Sequence, residues 1–262
     1  MKASQLKTFW ALFYKDVVAF KSDYIQSLLD NLFWSLAVIT PALFFLPAMG
    51  MPADFGRFLL GVLPFVWGIF DIGTNATTLI GDITSDKTIQ YELIMPISQW
   101  AVFFKIVCVN AYRSFSVSIF TLPCGMIYIY FCNGLTVPLQ GLFYYYFFLI
   151  IANIFFGFFG LFLASFMYKV SDIRNVRMRI LFPLWFLAGF NNSWQVMYEV
   201  APKVAYLLLI NPFVYVMEGS RAALLGQDGF INYWVCVGMI VVWSVVLGYI
   251  GISRFLKRLD CL

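Results

Sequence analysis

From Ser114 to Tyr168 the chain runs fifty-five residues without an Asp, Glu, Lys, Arg or His. The hydrocarbon core of a bilayer is about 30 Å thick and takes roughly 20 helical residues, so this run is long enough to cross twice. Cys132-Asn133-Gly134-Leu135-Thr136-Val137-Pro138 supplies the glycine and proline of a turn between the crossings. Composition agrees. With 62% hydrophobic and 11% charged residues, and a mean hydropathy of +0.85, too little polar surface remains to cover a water-exposed globule, which carries roughly 25% charged residues. The sequence predicts an all-α, multi-pass membrane protein forming one transmembrane domain over residues 1–262. Lys2, Lys7 and Lys15 are interleaved with aromatics, which does not read as a cleaved signal.

Hydrophobic periodicity orders the chain. Over residues 3–24, Leu6, Phe9, Trp10, Phe13, Val17, Phe20 and Tyr24 fall on one stripe, with Ser4, Thr8 and Lys15 opposite. This is an amphipathic helix, either lying in the membrane interface or packed on a partner helix. Charge-free or nearly charge-free stretches place spans at about 31–51, 58–80, 101–131, 142–168 and 229–253. The apolar run Ile180 to Phe190 is short and reaches span length only by borrowing from its flanks, giving a further crossing at about 180–198. Trp194 to Gly229 is apolar but broken by Glu199, Pro202, Lys203, Pro212, Glu218 and Arg221, which suits a re-entrant or interfacial hairpin before the last span.

Six spans put both termini on one side. Of the seventeen Lys and Arg residues, fourteen fall on or toward that side, and only Arg57, Lys203 and Arg221 fall opposite. The excess of basic residues marks the cytoplasmic face, so both termini are expected there, in a cytoplasmic (inner) membrane. The net charge of +4 thus belongs to membrane edges rather than to nucleic acid.

Catalytic chemistry is not suggested. The chain has no histidine, no closely spaced carboxylate pair within a span and no GxSxG elbow. The five cysteines show no CxxC spacing, so neither a metal site nor a redox pair is expected. Cys132 and Cys236 share the expected outer face, which leaves a disulfide between them open. No GxxxxGK[ST] loop is present, so any nucleotide is expected on another subunit.

Two polar segments carry more information. Gly81 to Trp100 joins the second and third spans on the cytoplasmic side, where Thr84 or Ser85 could cap a short helix that Pro96 ends. Ile89, Leu93 and Tyr91 would give that helix an apolar contact set, although a solvated loop helix with no partner would read the same way. In the other segment, Glu218 and Arg221 stand three apart on an otherwise apolar helix, so pairing lowers the cost of holding either at membrane depth. Asp71, mid-span with Asn75 four residues on, is the intramembrane charge hardest to explain structurally; it suits a substrate path or an inter-helix hydrogen bond. Aromatics from Tyr128 to Phe131 and from Phe143 to Phe148 fit an interfacial belt or a pathway lining.

The Gly81 to Trp100 segment resembles the coupling helix of type-2 ABC transporter permeases, whose pattern is Gly-Thr-Leu-Glu-x-Leu-Leu-x-Thr-Pro. Thr88, Ile89, Leu93 and Pro96 match; Gln90 stands for the Glu, Lys87 replaces the Gly and Glu92 replaces a Leu. Asn211 to Gly226 resembles the same family's Asn-Pro-Leu-x-x-x-x-Glu-x-x-Arg-x-x-Leu-Leu-Gly signature, carried here by Asn211, Pro212, Glu218 and Arg221, with Phe213 in place of the Leu. The resemblance implies a permease subunit of an ATP-driven exporter that binds no cofactor itself. Its partners would be an ABC ATPase subunit carrying ATP and Mg, a second permease copy in a homodimer, and membrane lipid, with no nucleic acid. Thr84, Thr88, Ile89, Tyr91 and Leu93 would couple to the ATPase, and Asp71 and Asn75 would stand on the substrate path. The substrate would be a lipid-linked polysaccharide or another amphipathic molecule. Two other readings remain at this stage: an ion-coupled secondary transporter using Asp71, Lys105 and Arg113 as a charge relay, and a non-transporting membrane scaffold. No self-similarity between the halves supports the first.

Overall fold

A computed structural model of the chain describes residues 3–134, 136 and 141–259, without the side chains of Ala3, Ser4, Asp86 and Leu259. Lys2, Leu135, Val137, Pro138, Asp260 and Cys261, which carry parts of the sequence expectations, lie outside them. The described residues are helical with no strand. That is how a chain in hydrocarbon satisfies its own backbone groups. Five helices or near-continuous helical runs are long and apolar enough to cross a bilayer: Tyr24–Ala48, Phe55–Ser85, Gln99–Asn133, Leu142–Ala164 and Tyr233–Arg258.

The first helix, α1, spans Ala3–Phe20 and ends in a turn, so the expected 3–24 helix is shorter and the next, α2, already begins at Tyr24 (Tyr24–Ala48). The second run divides into α3 (Phe55–Leu60) and α4 (Leu63–Gly81), with Pro64 within the first turn of α4, where its missing N–H costs nothing. After the short α5 (Thr88–Leu93), the third run divides into α6 (Gln99–Ser118) and α7 (Thr121–Asn133). α8 (Leu142–Ala164) and α14 (Tyr233–Leu259) are uninterrupted. Between them lie α9 (Ile173–Val176), α10 (Phe182–Phe186), α11 (Trp194–Val200), α12 (Pro202–Leu208) and α13 (Pro212–Leu225).

The expected span at 180–198 is not one helix. Helical turns of mixed pitch run from Val170 to Phe186, and the chain then breaks at Gly189 before α11 starts at Trp194. Gly189 has a left-handed φ of 82°, and a Cβ there would lie 2.6 Å from the carbonyl oxygen of Asn192, so only glycine fits the break.

Neighbour relations fix the topology. Tyr144 stacks edge-on to Tyr233, Phe158 lies at Gly248 and Phe162 at Gly251, a constant offset that makes α8 and α14 parallel. Residues 165–232 must therefore return from one end of α8 to the other. α4 is parallel to α8, with Phe65 against Tyr145 and Gly160 against Ile72. α6 runs the other way, with Phe104 against Phe158 and Ile119 near Tyr146. The α3–α4 and α8 runs form the centre, 72% and 67% buried over their most apolar stretches, whereas α2 at 28% and α14 at 39% present broad apolar faces outward. α13 is buried along Pro212–Leu224 and runs antiparallel to α8, from Phe213 against Phe155, Phe156 and Phe159 to Gly219 against Phe148. It therefore starts at mid-depth and leaves at the end where α8 begins. Cys132 and Cys236, the pair left open for a disulfide, are free thiols.

Candidate functional site

The connecting segment grows out of α4. The last turn widens over Asp82–Asp86, where Thr84 Oγ1 donates back to the carbonyls of Ile80 at 2.8 Å and Gly81 at 3.3 Å. The chain then reverses at Lys87, whose φ of 57° is left-handed. A β-carbon in that region costs about 1–2 kcal/mol, which accounts for glycine at this position in the resembling pattern. The cap of α5 is not Thr84 or Ser85, as expected, because Thr84 is spent on the preceding turn. Asp82 supplies it, accepting from the Thr88 N–H at 3.2 Å and the Ile89 N–H at 2.8 Å. A cap reaching forward six residues across a reversal has no sequence signature of the usual kind.

The two faces of α5 are also distributed differently from expectation. Ile89 is 6% exposed and packs with Phe103, Val107, Ile252 and Phe255. Leu93 is partly buried between that cluster and the one formed by Phe9, Ile97 and Val102. Tyr91, 65% exposed, Ile94, 81% exposed, and Met95 face outward instead. Periodicity alone placed Ile89 and Leu93 on an apolar face; the structure identifies that face as the inner one.

Glu92 also turns inward. Its Oε1 accepts from Lys15 Nζ at 2.9 Å, and its Oε2 lies 2.7 Å from Lys105 Nζ, as a charge contact outside hydrogen-bonding geometry. Lys105 Nζ also donates to Asp16 Oδ2 at 2.6 Å. Partial burial opposes the charge on Lys15, yet the Glu92 carboxylate, with Asp16, holds its ammonium above the ordinary lysine range.

The Glu218–Arg221 pair is fully buried. The two groups approach only to 3.8 Å, and each does most of its bonding elsewhere. Glu218 accepts from the Trp194 N–H at 2.8 Å and the Ile231 N–H at 3.1 Å. Arg221 donates to the carbonyls of Phe190 at 2.6 Å and Gly189 at 2.8 Å, with its guanidinium 3.7 Å above the Phe58 ring. Asn211 caps α13 through the Phe213 N–H at 3.0 Å and donates to the Leu184 carbonyl at 2.6 Å, and Pro212 takes the first helical position. Three signature side chains thus fasten α13 to α10, to the break that follows it and to the start of α11, supplying partners to backbone groups buried inside the protein.

Asp71 accepts from Ser114 Oγ across the α4–α6 contact and from Asn75 Nδ2 at 3.2 Å. It also borders a cavity of about 350 Å³ lined by Trp67, Phe70, Thr74, Arg177 and Phe182. Arg113 sits over the Phe20 ring at 4.7 Å, while Lys105 is held in the cluster with Asp16 and Glu92. Arg113 is also within electrostatic reach of the Asp71 carboxylate and lines one cavity with Lys105, although each of the three has a partner of its own.

No curated protein sequence matches the chain. Residues 72–225 match the family described as ABC-2 type transporter, a stretch that opens one residue after Asp71, takes in the whole connecting segment and closes at the last residue of α13. With 154 of its 262 residues inside that match and several helices long enough to cross a bilayer, the chain is a multi-pass membrane protein of the ABC-2 type transporter family, a transport permease.

Proposed function

We propose that the chain is the membrane-spanning permease subunit of an ATP-driven exporter, moving a lipid-linked polysaccharide or another amphipathic molecule outward and powered by a separate ABC ATPase subunit. The observation that carries the reading is the outward apolar patch at α5 and just past its end: Tyr91 on the helix and Ile94 and Met95 directly after it stand exposed, while the helix is capped by Asp82 and anchored from behind by Ile89 and Glu92. A rigid, short helix with an exposed apolar face can transmit movement of a docked partner to the spans behind it. The permease works as a homodimer with both termini in the cytoplasm. Its fifth passage is the Val170–Phe186 run, α11 to α13 form a re-entrant hairpin, and α1 lies at the interface with Leu6, Trp10 and Tyr14 toward lipid. The parallel arrangement of α8 and α14 supports six passages, because the chain between them must cross once more. Asp71 and Asn75, beside the aromatic-walled cavity, would meet substrate.

Replacing Tyr91, Ile94 and Met95 together with aspartate puts charge into the proposed contact while leaving the core of the chain untouched. The triple variant is expected to insert and fold but to lose co-purification with the ATPase subunit and ATP-dependent export. Ile89→Asp is expected instead to lower the folded yield. Undiminished co-purification and export by the triple variant would sink the reading.

A further inference from the structure

The ion cluster ties α5 to α1, which packing alone leaves poorly joined, whereas α1 already packs along α6 through Phe9 against Phe104 and Phe13 against Tyr112. Lys15 and Asp16 come from α1, Glu92 from α5 and Lys105 from α6, and each ammonium lies between two carboxylates. Glu92 is 3% and Lys105 2% exposed, so this pair is desolvated, and either charge left alone there is far costlier than the intact pair. A cavity of about 270 Å³ separates α1, α4, α5 and α6, with Asp16, Glu92 and Lys105 in its wall, so apolar contact between these elements is incomplete. The apolar contact of α1 with the connecting segment is the small cluster of Phe9, Ile97 and Val102, with Leu93 against it. The resembling family pattern has leucine where Glu92 stands; an aliphatic side chain could fill space there, but it could not bridge Lys15 and Lys105.

We propose that this cluster makes α1 a moving part of the transmission: α1, α5 and the first half of α6 shift as one body when a docked ATPase closes, and Lys105 is the positioning residue that pins α1 to α5. The inference rests on the permease reading above. It follows from geometry, because a body can transmit displacement only through contacts that do not slip: the Lys15–Glu92 and Lys105–Asp16 hydrogen bonds at 2.9 and 2.6 Å are fixed in direction as well as distance, and the buried Lys105–Glu92 charge contact at 2.7 Å holds the two together. Lys15 and Asp16, about 100° apart around α1, hold the helix from two directions.

The test uses Glu92→Leu with Lys105→Met. Removing both members leaves no lone buried charge between them, and the more exposed Lys15 and Asp16 still have each other at 3.5 Å, so the double variant is expected to fold. In the purified full chain in nanodiscs, hydrogen exchange across α1 should rise by at least about tenfold in the double variant, with α8 unaffected. Unchanged α1 exchange overturns the inference whatever the partner does. In the complex with its ATPase, spin labels at Ala11 and Ser85 should keep their mutual distance between nucleotide-free and ATP-trapped states, while each moves relative to a label at Tyr249; the double variant should lose the constancy. If the Ser85 label moves but the Ala11 label does not follow, the inference fails and the permease reading stands. If neither moves with nucleotide, the permease reading fails and takes the inference with it.

Discussion

Removal of Arg221 should be among the most damaging single changes outside the apolar core, and its cost can be worked from its contacts. Each of its two short charge-assisted hydrogen bonds, to Gly189 and Phe190, is worth about 1.5–3 kcal/mol. Its contact with the Phe58 ring adds about 0.5–2 kcal/mol. Some of this is recovered in the unfolded chain, which also finds partners within the membrane, so Arg221→Ala should lose about 3–5 kcal/mol. Against a typical total of about 5–15 kcal/mol, folded yield should fall severely. Glu218→Gln keeps one acceptor and should lose about 1.5–3 kcal/mol. The informative variant is the exchange, Glu218→Arg with Arg221→Glu. Were mutual attraction the main role of the pair, the exchange would restore stability. The structure predicts that it does not, because an arginine at 218 meets the N–H groups of Trp194 and Ile231 and a glutamate at 221 meets the carbonyls of Gly189 and Phe190, donor facing donor and acceptor facing acceptor. Fluorescence-detected size exclusion after a temperature series measures all three variants. An exchange variant melting close to the unaltered chain would refute the argument.

Lys87→Gly should raise the melting point, since it relieves a left-handed residue by about 1 kcal/mol, and a lower melting point would show that the Lys87 side chain does something its backbone angle does not reveal. Cysteines at positions 87 and 174 should label only from the cytoplasm, and cysteines at 54 and 133 only from outside; external labelling at 87 would reverse the proposed orientation. Asp71→Asn retains oxygen for the Ser114 hydroxyl and should cost no more than about 1–2 kcal/mol of stability, yet export should fall because, on the proposed path, Asp71 meets substrate; undiminished export with normal folding would remove Asp71 from the substrate path.

How far the residues alone reached depended on whether a feature was local. Long charge-free runs announced α2, α8 and α14, because a bilayer imposes a length that composition must meet. The run 170–186 could not be bounded in that way. Its start carries Arg174, Arg177 and Arg179, and it ends at a backbone break, so no apolar window matches its length. The outward and inward faces of α5 were equally illegible, since Ile89, Leu93, Tyr91 and Ile94 differ in burial only through what packs beneath them. Glu92 looked like a departure from a pattern; its meaning lies in Lys105, thirteen residues away, and Lys15, seventy-seven residues away. Glu218 and Arg221 were legible as a unit but not as two separate ties, because their partners are backbone atoms that no side-chain pattern encodes.

The staple at Glu218 and Arg221 also bears on the order of synthesis. On the proposed topology, the fifth passage is too short and too basic to partition into lipid on its own account, and the carbonyls of its broken end at Gly189 and Phe190 take their donors from α13. Those carbonyls find their donor only when Arg221 has been made, some thirty residues later. A nascent chain stopped at Leu208 should therefore hold this stretch at the aqueous boundary or within the translocon, and one extended through Leu225 should release it into the bilayer. Insertion of the fifth passage becomes a late event, timed by translation of α13.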